Sequence, residues 1–135
     1  MGTLLVYALI QVVHNFGALL IVGLSSHGLW SARRHHPSLW LAGWIAIAWM
    51  VQGISGASFG WVTYHADHHL PDIHGIAVVA LMIKVSCVVG GIFLMVSCAR
   101  FGRQWTTARQ LMVWTGSLGL GVLALCAAAF LRWFS

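Results

Sequence analysis

Four long apolar runs separated by short polar segments dominate the chain, covering roughly residues 3–30, 39–64, 75–99 and 110–131. About 20 mostly apolar residues suffice for a helix to cross a bilayer core, and each run meets that length. Period-two alternation, the mark of a half-buried strand, is absent from all four. In lipid every backbone N–H and C=O must be paired internally, which leaves helices or a closed barrel. The runs are too long for barrel strands. The pattern therefore predicts an all-α fold, a single transmembrane domain over residues 1–135. Short connections make consecutive helices antiparallel neighbours, so the expected architecture is a membrane-embedded four-helix antiparallel bundle.

Composition agrees. Of 135 residues, 60% are hydrophobic and 7% charged, with a mean hydropathy of +0.88. Soluble domains carry about 25% charged residues, so this chain has too little polar surface for a water-facing exterior, and its first partner is the lipid bilayer. A net charge of +5 in a soluble protein would suggest nucleic acid. Here the arginines sit in short segments between apolar runs, where they set membrane orientation, and nucleic acid is not an expected partner. No positive n-region precedes the first run and no small-residue cleavage site leads into a soluble body, so it reads as a retained helix. Cys87, Cys98 and Cys126 lie inside the runs without CxxC spacing and read as small buried apolar residues.

Orientation follows from charge. Arg33 and Arg34 fall in the segment 31–38, and Arg100, Arg103 and Arg109 in 100–109, whereas residues 64–74 contain no Lys or Arg. The positive-inside rule puts the two arginine segments in the cytoplasm. Both termini and the middle segment then face the periplasm of a bacterial inner membrane, with Arg132 opposing the five arginines of the two segments. Trp40, Trp61, Trp105 and Trp133 lie near span ends, as interfacial aromatic belts require. Small residues in the spans, Gly53 and Gly56, Gly90 and Gly91, and Gly116, Gly119 and Gly121, mark close helix contacts or, for Gly53 and Gly56, the flank of a flat cofactor. Trp44, Trp49, Phe59 and Trp114 are expected to supply a lipid or protein contact face.

Three polar residues stand where they are costly. At 1.5 Å per residue, His14 lies about 16 Å into the first span and Lys84 about 14 Å into the third, close to the midplane of a ~30 Å core. Gln52 falls at a similar level in the second. Ionisable residues at that depth mark function by default. The predicted spans contain neither Asp nor Glu, so Lys84 takes its counter-charge from something bound or from a partner, or else it is neutral. Together His14, Gln52 and Lys84 would hold an anionic or metal-bearing ligand. The plainer alternative for His14 is a neutral imidazole tied to a nearby carbonyl. A second concentration of chemistry lies between the second and third spans, with His65, Asp67, His68, His69, Asp72 and His74. Imidazoles suit copper, zinc, iron or nickel, so His65, His68, His69 and His74 are candidate metal ligands.

The first span, from Ala8 through His14 to Ala18, and the third, from His74 through Lys84 to Val85, resemble the corresponding helices of the group containing HemJ-type protoporphyrinogen oxidases and the CopD-like copper-resistance membrane domain. The resemblance covers most of the chain. It implies haem b on His14 as axial ligand and a functional, catalytic role for Lys84. The stretch Ser25–Trp30 differs from the Arg-Leu-Phe-Val-Tyr-His-like stretch usual in HemJ-type proteins.

Three functions are therefore expected in outline. The first is a haem b redox protein and oxidoreductase. Gln52, Gly53 and Gly56 would line the cofactor, Lys84 would pair with a propionate or substrate carboxylate, and quinone or porphyrin would be the small-molecule partner. The second is handling of copper or another transition metal outside the membrane by His65, His68, His69 and His74. The third is an accessory role with partner membrane subunits or as a homo-oligomer.

Overall fold

The computed structural model describes residues 2–36, 38–67 and 75–134. They form α1 (Gly2–Arg33), α2 (Trp40–Asp67), α3 (Ile76–Phe101), a 3-10 turn (Gly102–Gln104) and α4 (Thr107–Phe134). No strand occurs among the described residues. All four helices are long and apolar enough to cross a membrane, and the protein is an all-α, multi-pass membrane bundle. Helix bounds lie within three residues of the predicted runs. The helices mostly run on into polar residues, because these still gain backbone hydrogen bonds while their side chains reach toward headgroups.

The helices form a ring. α1 packs on α2, α2 on α3 and α3 on α4, and α4 closes on α1. That places α1 and α3 across the diagonal. Tight connections hold the arginine end. After α1, Arg34 N–H donates to Ser31 O (3.1 Å), His35 N–H donates to Ala32 O (3.1 Å), and the Ser31 hydroxyl donates to the carbonyl of His36. His35 takes a left-handed φ of 58°, the conformation that commonly ends a helix. Between α3 and α4 the Gln110 side chain donates to Gly102 O (2.8 Å).

Buried positions on α1 follow a helical stripe: His14, Gly17, Ile21, Ser25, Gly28, Ser31 and Ala32. On α2 the stripe runs from Leu41 to Ser55. Toward the end that carries the chain termini, burial on these two helices stops at His14 and Ser55. None of the side chains described in residues 2–13 and 56–65 is buried. The packed stripes of α1 and α2 thus lie in the arginine half of the bundle, whereas α3 and α4 stay buried further out, at Ala77, Ala80 and Ala127.

Two expectations need correction here. Trp49 and Trp114 are 1% and 0% exposed, so they belong to the core and supply no outer contact face, whereas Trp44 does face outward. Each buried indole lies flat against a glycine of the next helix. A Cβ on Gly91 would stand 2.3 Å from Trp49 Cε2, and one on Gly28 would stand 2.4 Å from Trp114 Cε3. Large rings opposite glycines fill the space between helices that would otherwise be held apart. Cys126 is exposed, unlike the buried Cys87 and Cys98, because it falls outside the packed stripe of α4.

Near the helix ends Trp40, Trp61 and Trp133 are exposed. At the arginine end Arg34 lies over Trp30 (4.3 Å) and Arg109 over Trp105 (4.6 Å). These cation–π pairs suit an interface where one end of a side chain is apolar and the other wet.

One polar contact ties α1 to α4 inside the core. Ser25 Oγ and Ser117 Oγ are 2.8 Å apart, both fully buried. Interhelical hydrogen bonds in membranes average about 0.6 kcal/mol and reach about 1.7. Ser25→Ala is expected to cost about 1 kcal/mol by leaving Ser117 unpaired. The double change Ser25→Ala, Ser117→Ala should cost less than the sum of the single ones. Unfolding midpoints of the three variants in mixed micelles check this.

Candidate functional site

The site gathers residues from three helices at the level where the buried stripes of α1 and α2 end. The buried stripe of α1 turns His14 inward. One turn of α2 presents Gln52 and Ser55 on the face that meets α1. Gly17 makes room for the Gln52 carboxamide, since a Cβ there would lie 2.9 Å from Gln52 Nε2. Gln52 Nε2 donates to the carbonyl of His14. His14 Nδ1 lies 2.7 Å from Ser55 Oγ, and its Nε2 lies 3.0 Å from Lys84 Nζ. Lys84 comes from α3, across the diagonal of the bundle.

The direction of these bonds follows from counting protons. Ser55 Oγ contacts the carbonyls of Val51 (2.6 Å) and Gln52 (3.3 Å), and both can only accept. The single hydroxyl proton goes to them, so Ser55 Oγ accepts from His14 Nδ1–H. A neutral imidazole protonated at Nδ1 has a free lone pair on Nε2, and Lys84 Nζ donates to it. The chain runs Lys84 to His14 to Ser55 to the α2 backbone, with every member of the imidazole satisfied. An ammonium carries three N–H groups, and the described residues supply an acceptor to one. The two carboxylates of the chain, Asp67 and Asp72, lie at or beyond the end of α2.

Aromatic residues border the cluster. Phe59 meets the His14 ring edge-on (5.6 Å, 77°) and also packs on Tyr7 (4.9 Å). Lys84 itself is half-buried.

The residues picked out in the sequence are thus partly brought together. His14, Gln52 and Lys84 form one connected group. Gly56 borders it, since a Cβ there would lie 3.8 Å from His14 Cε1, whereas the space at Gly53 is filled by Val88 of α3 (3.2 Å). His65 stands apart on the last turns of α2. It is exposed, stacks on Trp61 (4.5 Å) and donates from Nδ1 to Trp61 O (3.0 Å). His68, His69 and His74 lie outside the described residues. Among the described residues no group of three or more His, Cys, Asp or Glu is placed to hold a metal ion. Ser55 was not anticipated. Its spacing of three from Gln52, which puts both on one helix face, is the signal that points to it. Iron ligation by His14 would require Nε2, which Lys84 occupies; the Nδ1–H bond to Ser55 is of the kind that orients a ligating imidazole.

No protein-family model matches the chain, and no curated protein or solved structure matches it at a significant level.

Proposed function

We propose that the protein is a membrane-embedded redox protein whose lysine–histidine pair binds an oxygen-bearing, lipid-soluble ligand of the quinone or porphyrin class. Lys84 donates to a carbonyl or carboxylate oxygen of that ligand, and His14 exchanges the proton that the chemistry requires. The observation carrying this is the Lys84 amine, which among the described residues has a single acceptor, His14 Nε2 at 3.0 Å, and no carboxylate inside the predicted spans. Reduction of a quinone to a quinol takes up two protons with two electrons. At a bound quinone or porphyrin the Lys84–His14 pair holds the oxygen and passes protons at Lys84 Nζ and His14 Nε2, and the electrons of a quinone's reduction would come from a membrane haem or flavin protein acting as reductant. The resemblance of the first and third helices to HemJ-type and CopD-like proteins supports the redox class. The arginine segments are assigned to the cytoplasm and the termini to the periplasm of a bacterial inner membrane, on the positive-inside rule.

A haem b ligated by His14 does not fit this arrangement. Lys84 occupies Nε2, the nitrogen that iron would need, so no step is routed through haem. Copper handling is not favoured at this depth, because an ammonium repels a cation.

The test is equilibrium binding of a short-chain benzoquinone and of a porphyrin dicarboxylate to the protein in nanodiscs. A hydrogen bond from a charged donor contributes about 1.5–3 kcal/mol, so Lys84→Gln should weaken the bound probe about 10- to 100-fold, while Cys126→Ser leaves it unchanged. Equal binding by the wild type and Lys84→Gln would overturn the proposal. So would a Soret band in the isolated protein that His14→Ala removes.

A further inference from the structure

The lipid-facing side of α1 carries a feature that neither the bundle nor the site explains. Gln11 Nε2 donates to Asn15 Oδ1 (2.9 Å) on the outside of the helix. Asn15 follows His14 directly and so shares its depth in the membrane. Its own NH₂ group finds no acceptor among the described residues, and unpaired amide donors in hydrocarbon are costly.

Asn15 lies within an ordered seam. Ala8, Val12, Asn15, Leu19, Val22 and Ser26 recur at intervals of four and three residues. That is the heptad spacing at which helices supercoil around one another, with a single polar residue fixing register. All but the half-buried Val22 are exposed, Val12 at 51% and Leu19 at 67%.

We infer that a second copy of this chain docks along this seam, with Asn15 hydrogen-bonded to its own counterpart. The occupant is specified by self-complementarity. Copies inserted in the same orientation present α1 in parallel, so a two-fold axis along the membrane normal brings Asn15 opposite Asn15 at one depth. A carboxamide carries both donor and acceptor and pairs with its like. A different partner helix would need its own polar residue at that depth. The inference is independent of the ligand assigned to Lys84.

Disulfide cross-linking in native membranes tests it, in a chain carrying Cys126→Ser to remove the exposed thiol. Single cysteines are placed on the seam at Ala8, Val12 and Leu19, and off it at the comparably exposed Leu9 and Leu20. With a thiol oxidant the seam positions should give an adduct of twice 14.7 kDa, several-fold more abundant than at the off-seam positions. Asn15→Leu should lower the seam yield several-fold, and Asn15→Gln should retain it. Asn15 touches none of the core, so these variants keep the fold. Equal yields on and off the seam, an adduct with a different chain, no adduct, or a yield indifferent to Asn15→Leu would each overturn the inference.

Discussion

His14→Ala is expected to destabilise the bundle by about 4 kcal/mol, and adding Lys84→Met is expected to restore most of that loss. The single change removes the imidazole from between Ser55 and Lys84. A buried polar group left without its partner costs about 1–3 kcal/mol, and a charged side chain at the centre of a membrane helix about 2.5–3.5. With His14 gone the amine has no acceptor among the described residues, and the two costs add. Methionine at position 84 removes the amine and keeps the volume. Alone, Lys84→Met gives up one hydrogen bond but also ends the burial of an ammonium, so it should raise stability by about 1 kcal/mol while abolishing binding of the probes. A variant that gains stability and loses function is the signature of a residue kept for its chemistry. Reversible unfolding in mixed micelles, run as a double-mutant cycle, should return a large coupling energy between the two positions. Additive effects would mean that the two side chains do not meet.

The second large effect concerns the glycines beneath the buried tryptophans. Gly91→Ala places a methyl group 2.3 Å from Trp49 and Gly28→Ala one 2.4 Å from Trp114. Both rings are essentially unexposed, so neither can swing aside, and the helices must separate. Overpacking a core costs about 1–3 kcal/mol and occasionally more, and about 3 kcal/mol is expected for each. Gly23→Ala and Gly119→Ala are the controls, because a Cβ at either meets nothing within 4 Å. These should be neutral or gain up to about 1 kcal/mol from helix propensity. Trp49→Leu combined with Gly91→Ala should recover part of the loss by opening the space the methyl needs. Thermal or detergent-induced unfolding of the matched set reads the difference.

The spans were legible because hydrocarbon leaves few choices. A run long enough to cross it is a helix, and the boundaries followed within three residues. The polar layer was legible for the same reason, since depth makes His14, Gln52 and Lys84 expensive, although Asn15 at the same level was not singled out. Which of their atoms meet was not legible. Rotation about each helix axis is set by how the faces interlock, and apolar residues surround every helix, so hydropathy does not reveal the inward face. The tryptophans show this best. Trp44 and Trp49 sit five residues apart on α2, equally apolar, yet one faces outward and the other fills the core, because only Trp49 lands opposite Gly91. Ser55 was hidden by its small side chain, which in a membrane helix signals packing as readily as hydrogen bonding.

Nitrogen-15 magnetic resonance of the protein in lipid bilayers, labelled at lysine and histidine, tests the central claim most directly. The account predicts that the His14 ring is neutral, with Nδ1 protonated and Nε2 bare, and that Nε2 correlates with the protons of Lys84 Nζ until a quinone or porphyrin probe shifts the amine resonance. An imidazole protonated at Nε2, or one with no correlation to that amine, would contradict it.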